Sequence, residues 1–312
     1  MKRLLFLPLT LLLAHCSSAP PPRQPYAGGP PPAMGPPPGP GPVNFVVKHS
    51  GGGYPQIINV SAYDPKERQR NGRSYSEHDV SALCANGACA LIARAGKGGN
   101  LDTKCASFIA SADRCGMLPG LYYRVQRHVD AVAQADQFVN RAFALARGRS
   151  WNAPALLLCG DYDSDLPVSS ILRFMDRVES RTGVVPVAYM ENGQQAKLNT
   201  RNADPATKAR LRRAPYWAAL YSHESGAGPI FPAPGSPEGL AGQYGVWSNW
   251  TMWQYGGVEW SGGRSRPKVY NNGRYRFSPY FGNIDRPVER NIFHGSPGSL
   301  LGFWQRHGLR LQ

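Results

Sequence analysis

The stretch PALLLCGDYDSDLPVSSILRFMDRVESRTGVVPVAYM, residues 154–190, decides how the chain folds. It opens with PALLLCGDY (154–162), a run with no polar alternation until its end, as expected of a strand covered on both faces. VSSILRFMDRVESRTG (168–183) follows, with apolar residues at helical spacing and a closing glycine. VPVAYM (185–190) then reads as a strand again. Strand, helix and strand within one such unit predict a right-handed crossover joining parallel strands.

The same alternation extends in both directions. QIINVSAY (56–63), CALIARAG (89–96) and LPGLYYRV (118–125) read as strands, with helices predicted over 105–115 and 131–146. Downstream, ATKARLRRA (206–214) reads as helix, YWAALYS (216–222) and WTMWQYGG (250–257) as strands, and SLLGFWQRHG (299–308) as a last helix. A strand count approaching eight favours a closed barrel over an open sheet. The fold class predicted is therefore α/β, an irregular (β/α) TIM-like barrel forming one domain over 44–312. In such barrels the chemistry sits where strands end in loops. Asn59, Tyr122, Tyr123, Asp161, Asp163 and Gln254 fall at such ends.

The N-terminus sets the compartment. Lys2 and Arg3 precede the apolar run LLFLPLTLLLA (4–14), too short to span a bilayer of about 30 Å as a helix. A charged start, a short apolar core and small residues after it describe a secretory signal over 1–16. LAHC (13–16) resembles a bacterial lipobox and makes Cys16 a candidate for lipidation, although His15 stands where a small residue is usual. Residues 17–43 hold 12 Pro and 5 Gly, a composition that predicts a semi-extended disordered tether. Export to the periplasm or cell envelope follows, with a membrane contact through the N-terminal lipid. The net charge of +15 falls to +13 once residues 1–15 are removed, which suits a polyanionic partner such as cell-wall polymer. Export argues against nucleic acid.

Six cysteines lie at 16, 84, 89, 105, 115 and 159. Cys84 and Cys89 bracket an Asn-Gly turn and could close locally. A helix over 105–115 is about 15 Å long, so Cys105 and Cys115 could not bond each other, and Cys115 would have to find Cys84 or Cys89. Cys159 is the candidate left unpaired. No CxxC pair, HExxH, GxSxG or phosphate-binding glycine loop is present, and no metal or cofactor is expected.

Six segments in order resemble glycoside hydrolase family 25, the Chalaropsis-type muramidases, over 57–308. IINVSAY stands where that family has G-I-D-V-S. The run 90–125 resembles its second strand, helix and third strand, and SRTGVVPVAYM its T-G-x-x-P-x-x-Y. PYWAALY, MWQY and IDRPVERNIFHG resemble its Trp-led strand, its W-Q-Y and its closing V-D-x-N-x-F-N-G. The resemblance implies an irregular barrel that hydrolyses the β-1,4 bond between N-acetylmuramic acid and N-acetylglucosamine of peptidoglycan. It further implies a strand-end D-x-E whose Glu is the general acid.

Here that motif has two registers. Cys159-Gly160-Asp161 would leave one carboxylate, whereas Asp161-Tyr162-Asp163 would keep two. Asn59 replaces the family's first acid, and an amide cannot act as a base, though it can orient a substrate amide. Glu289 takes the place of a late Asp, with Asp285 as its competitor. Lys97 and Gly98 occupy an E-G position with the acid lost. Tyr122, Tyr123, Trp253, Gln254, Tyr255 and Asp285 are the residues expected to bind sugar. Trp247, Trp250 and Trp260 could form a lid or only a staple. Two functions remain open: a muramidase with Asp161 as acid, helped by Asp163 or Glu289 with Asn59 orienting the sugar, or a wall-binding protein that kept the cleft and lost the pair. A barrel with an unrelated ligand is the third possibility.

Overall fold

A computed structural model of the protein describes residues 45–47, 53–62, 77–220, 237–256 and 288–311, with the backbone alone of short strands at 224–225, 228–229, 258–261 and 264–267. The signal and tether expected before residue 44, Cys16 among them, lie outside these residues. Eight strands form a ring: β1 Gln56–Val60, β2 Ala88–Lys97, β3 Leu118–Val125, β4 Ala155–Tyr162, β5 Val187–Met190, β6 Tyr216–Ala219, β7 Met252–Gly256 and β8 Glu289–Phe293. Neighbours from β1 through β7 pair in parallel. Strand β8 runs antiparallel to both β7 and β1 and closes the ring between them. The predicted closed α/β barrel is therefore present, with one reversed strand that the parallel βαβ reading does not foresee.

Helices α1 Glu77–Ala85, α2 Cys105–Cys115, α3 Ala131–Arg147 and α4 Val168–Thr182 fill the first four crossovers. Two short helices, α5 Gln194–Arg201 and α6 Pro205–Arg212, follow β5, and α7 Pro237–Tyr244 precedes β7. Helix α8, Pro297–His307, comes after β8 and leads into a strand, Gly308–Arg310, that pairs with the lower half of β4 below where β5 begins. Asp130 caps α3 by accepting from the Val132 and Ala133 amides, and Gly116 and Gly183 end α2 and α4 in the left-handed region. Helices α1, α5 and α7 are absent from the sequence reading. In α5 only Ala196 and Thr200 are buried, so no apolar stripe announces it.

Alternation along each strand sorts the core into two layers. Ile57, Ile92, Leu157, Cys159, Val187, Trp217 and Met252 fill the lumen. Leu300, Phe303 and Trp304 of α8 join that layer, and the Trp304 indole donates to the Pro119 carbonyl at 2.7 Å. The opposite parity, including Leu121, Tyr123, Leu158 and Tyr162, packs outward beneath the helices against Phe138, Phe174 and Val178. No disulfide joins any two of the five described cysteines. Cys84 and Cys115 lie beside each other, the Cys84 thiol donating to the Cys115 carbonyl at 3.0 Å.

Gly160 marks the tightest point of this sorting. A Cβ there would overlap Oη and Cζ of Tyr162, a ring that is fully buried edge-on to Phe174. Gly160→Ala is expected to destabilise the protein by about 1–3 kcal/mol through forced displacement of that ring. Gly242→Ala, at a helical position open to solvent, should instead be neutral or stabilising by up to about 1 kcal/mol. Urea unfolding of the two variants checks the contrast, and equal midpoints would contradict it.

Candidate active site

Lumen parity carries polar side chains to the ends of the strands where the loops begin. Asn59 stands on β1, Arg94 on β2, Tyr122 and Arg124 on β3, Asp161 on β4, Tyr189 on β5, Gln254 on β7, and Glu289 and Asn291 on β8. The registers bring Arg124 beside Asp161, Asp161 beside Tyr189, Asn59 beside Glu289 and Gln254 beside Asn291. All but Arg124 and Tyr189 are buried. They form two connected halves, one of amides and one of acids.

The amide half is a closed hydrogen-bond network. Asn59 Oδ1 accepts from Asn291 Nδ2 at 2.8 Å and from Gln254 Nε2 at 3.2 Å. Gln254 Nε2 also donates to Glu289 Oε2 at 3.3 Å, while Gln254 Oε1 accepts from the Tyr189 hydroxyl at 2.7 Å. The Trp217 indole donates to Asn291 Oδ1 at 2.9 Å. Buried amides so satisfied hold fixed orientations, which suits them to place a sugar substituent and not to move a proton.

The acid half is organised by one guanidinium. Arg124 Nε donates to Asp163 Oδ1 at 2.7 Å, and its Nη2 donates to Glu191 Oε1 at 2.9 Å. One carboxylate oxygen from each of Asp161, Asp163 and Glu191 lies within 4.8 Å of the others. Among the described residues this is the group whose acids could share a cation, although Arg124 already lies across two of them. Asp161 is only 8% exposed, and its Oδ1 accepts no hydrogen bond among the described residues. Burial pushes its carboxyl up to about 7; Arg124 pulls it down, and the charges of Glu191 and Asp163 push it further up. Arg94 is the weakest influence, and it is engaged by Asp102 at 3.0 Å.

Strand β4 runs through Tyr162, so Cys159 and Asp161 share the lumen face while Asp163 lies past the strand end. Burial raises the Cys159 thiol well above its ordinary value, which leaves it a packing residue. Tyr122 and Gln254 face the lumen. Tyr123, Trp253 and Tyr255, expected to line a sugar cleft, face outward, because each is one residue out of lumen parity. Tyr123 donates to Gln137 Oε1 at 2.6 Å and packs on Phe138 and Phe174. Trp253 donates to the Leu220 carbonyl at 2.6 Å, and Tyr255 donates to Gln56 Oε1 at 2.8 Å. Trp247 and Trp250 are buried staples, Trp247 stacked on Tyr216 and Trp250 on His294. Asp285 and the Trp260 side chain lie outside the described residues. Arg124, Tyr189, Glu191 and Asn291 went unread as site residues, yet counting by twos from Tyr122 and along VPVAYM reaches Arg124, Tyr189 and Glu191.

A sequence profile of glycosyl hydrolases family 25 matches residues 72–263, a span that holds Asp161 and Glu191 and leaves out Asn59 and Glu289. Among solved structures, a bacterial lysozyme from Streptomyces coelicolor aligns with a TM-score of 0.52 at 19% identity, over 82% of this chain and 99% of that one. The spore cortex lytic enzyme SleM of Clostridium perfringens aligns at 0.51 and 22% identity, over 79% and 69%. A muramidase from Acremonium alcalophilum aligns at 0.50 and 17%, over 80% and 99%. These likenesses are of fold. No curated protein sequence matches the chain.

The Asp161 carboxyl holds its proton more tightly folded than unfolded, so its contribution to stability falls as pH rises from about 4 to about 7. Asp161→Asn should therefore raise stability at pH 8, by up to about 4 kcal/mol for a rise from 3.8 to about 7, and should leave it nearly unchanged at pH 4. Unfolding curves at the two pH values check this. In Arg124→Gln the Asp161 titration, followed by carboxyl NMR, should move upward, since the guanidinium is what pulls it down.

Proposed function

The chain belongs to glycosyl hydrolases family 25, and we propose that it cleaves the β-1,4 bond between N-acetylmuramic acid and N-acetylglucosamine in peptidoglycan, with Asp161 as proton donor. The observation that carries this reading is Asp161 itself: a buried carboxyl at a strand end, with an oxygen that has no hydrogen bond among the described residues and its proton held up to about pH 7. Cleavage of a glycosidic bond needs a proton at the leaving oxygen and negative charge near the anomeric carbon. A carboxyl protonated near neutral pH meets the first need, and the acids held by Arg124 meet the second. The Asn59–Gln254–Asn291 network supplies fixed amides that orient an N-acetyl sugar. Tyr122 forms part of the lumen wall.

The protein acts at the cell envelope in this reading, exported by its N-terminal segment and held by a lipid on Cys16 behind the Pro-rich tether. No helix among the described residues is long and apolar enough to cross a membrane. One observation favours a wall-binding protein without activity: Asn59 stands where the family resemblance implies an acid, as does Cys159 in one of the two registers of the β4 motif, and neither supplies a carboxylate.

Release of reducing ends from purified peptidoglycan tests the choice. The protein from residue 43 onward should release them, with a rate that declines as pH rises through about 7 because the donor loses its proton. Asp161→Asn should lower the rate about 100-fold or more while still sedimenting with insoluble wall. Sedimentation without release by either protein would leave the binding reading standing and remove the hydrolase.

A further inference from the structure

We infer that Glu191, at the end of β5, is the second catalytic carboxylate of this barrel and forms the covalent glycosyl intermediate opposite Asp161. The inference rests on the hydrolase reading and deepens it. The position that the family resemblance marks as acidic on β1 holds Asn59, an amide whose oxygen is occupied by two donors, and in one of the two registers of the β4 motif its first acid falls on Cys159, a buried thiol. The negative charge that the reaction needs must therefore come from elsewhere. On the lumen face, Glu191 lies two residues beyond Tyr189, the register partner of Asp161. One of its oxygens lies no more than 4.8 Å from one on Asp161, within the roughly 5–5.5 Å reach of paired carboxylates in retaining enzymes and short of the roughly 6.5–9.5 Å of inverting ones.

Glu191 is also held as a nucleophile needs to be. The Tyr244 hydroxyl of α7 donates to its backbone carbonyl at 2.5 Å. Gly193, two residues on, packs so closely on Ser164 that a Cβ would overlap that side chain, which locks the loops after β4 and β5 together. Arg124 holds Oε1 at 2.9 Å, and among the described residues Oε2 has a long contact, 3.4 Å, from the Ser164 amide. Asp163 is the alternative, but it follows Asp161 on the same strand end and is less exposed, 16% against 32% for the Glu191 side chain. Glu191 approaches from the neighbouring strand and is the more open to substrate.

The step balances without a further reactant. Asp161 gives its proton to the glycosidic oxygen as the bond from that oxygen to the anomeric carbon breaks, and Glu191 Oε2 bonds to that carbon as an ester. Water then attacks the same carbon and gives its proton to Asp161, while the ester bond breaks and its electrons return to Glu191. The product keeps the β configuration.

Hydrolysis of peptidoglycan, with the anomer of the first product read by NMR, tests this. The protein should yield the β anomer. Glu191→Gln should lose about 100-fold or more in rate while its unfolding midpoint shows it folded, and Glu191→Ala with added azide should form an α-glycosyl azide. An α product from the unaltered protein, a Glu191→Gln enzyme within about threefold of the unaltered rate, or azide adducts from Asp163→Ala or Glu289→Ala in place of Glu191→Ala would each overturn the inference while leaving the hydrolase intact. A protein that releases no reducing ends would remove the hydrolase reading, and this inference with it.

Discussion

Closure of the sheet by β8 is the constraint on which the rest depends. A row of seven parallel strands would leave two open edges and a half-exposed apolar face. Glu289–Phe293 fills the gap by pairing antiparallel with β1 and β7, which makes every strand an inner one and the lumen a true interior. The reversal also decides chemistry. Because β8 descends where its neighbours rise, Glu289 enters at the mouth beside Asn59, and Asn291 sits one layer deeper beside Gln254. Residues more than 190 positions apart thereby become hydrogen-bonded neighbours.

Why β8 stays in register follows from burial. Asn291 is fully buried and binds the Trp217 indole, the Ile57 carbonyl and Asn59 Oδ1 at 2.8 to 3.0 Å. A slip by one residue would turn this amide outward and place Arg290 or Ile292 in the lumen. The amides lost would be left unsatisfied in an interior where each such group costs about 1–3 kcal/mol. The polar network of the mouth is therefore structural before it is functional, and it limits how far the site can change while the barrel remains shut.

The βαβ logic of residues 154–190, the two layers of the core and the placing of Asp161 were legible because each rests on a local period, two in strands and 3.6 in helices. The bounds of α2 were legible for the same reason, its apolar spacing ending at a glycine. What escaped lacks such a signal. Helix α5 buries two small residues, and the direction of β8 leaves no mark on five residues that read alike in either sense. The site was partly legible. Aromatics taken as blocks, Tyr122 with Tyr123 and Trp253 with Tyr255, hid the alternation that sends half of them outward. The same rule, applied through Arg124 and Glu191, would have reached the acid half. The amide half was beyond reach, since its partners come from β1, β7 and β8 and meet only on closure.

The proton on Asp161 is best understood through the charge of the acid half as a whole. Arg124 offsets one of the two charges on Asp163 and Glu191, so an ionised Asp161 would bring the cluster to two net negative charges in a buried position. Arg94, the other nearby cation, is drawn to Asp102, which also accepts the Ala62 amide at 2.8 Å, and so does little for Asp161. Burial then decides the outcome, and Asp161 holds its proton up to about pH 7. With Asp161 protonated the cluster carries one net negative charge, the value that best meets a single positive charge developing on a sugar ring. In the proposed reaction the proton leaves with the departing sugar, and the cluster gains negative charge just as the ring gains its positive one. The cysteine on β4 contributes by staying neutral: a carboxylate there would stand on the same strand face two residues from Asp161 and oppose its ionisation further. A site with fewer acids on β4 can thus remain a working acid site, provided the second carboxylate arrives from a neighbouring strand.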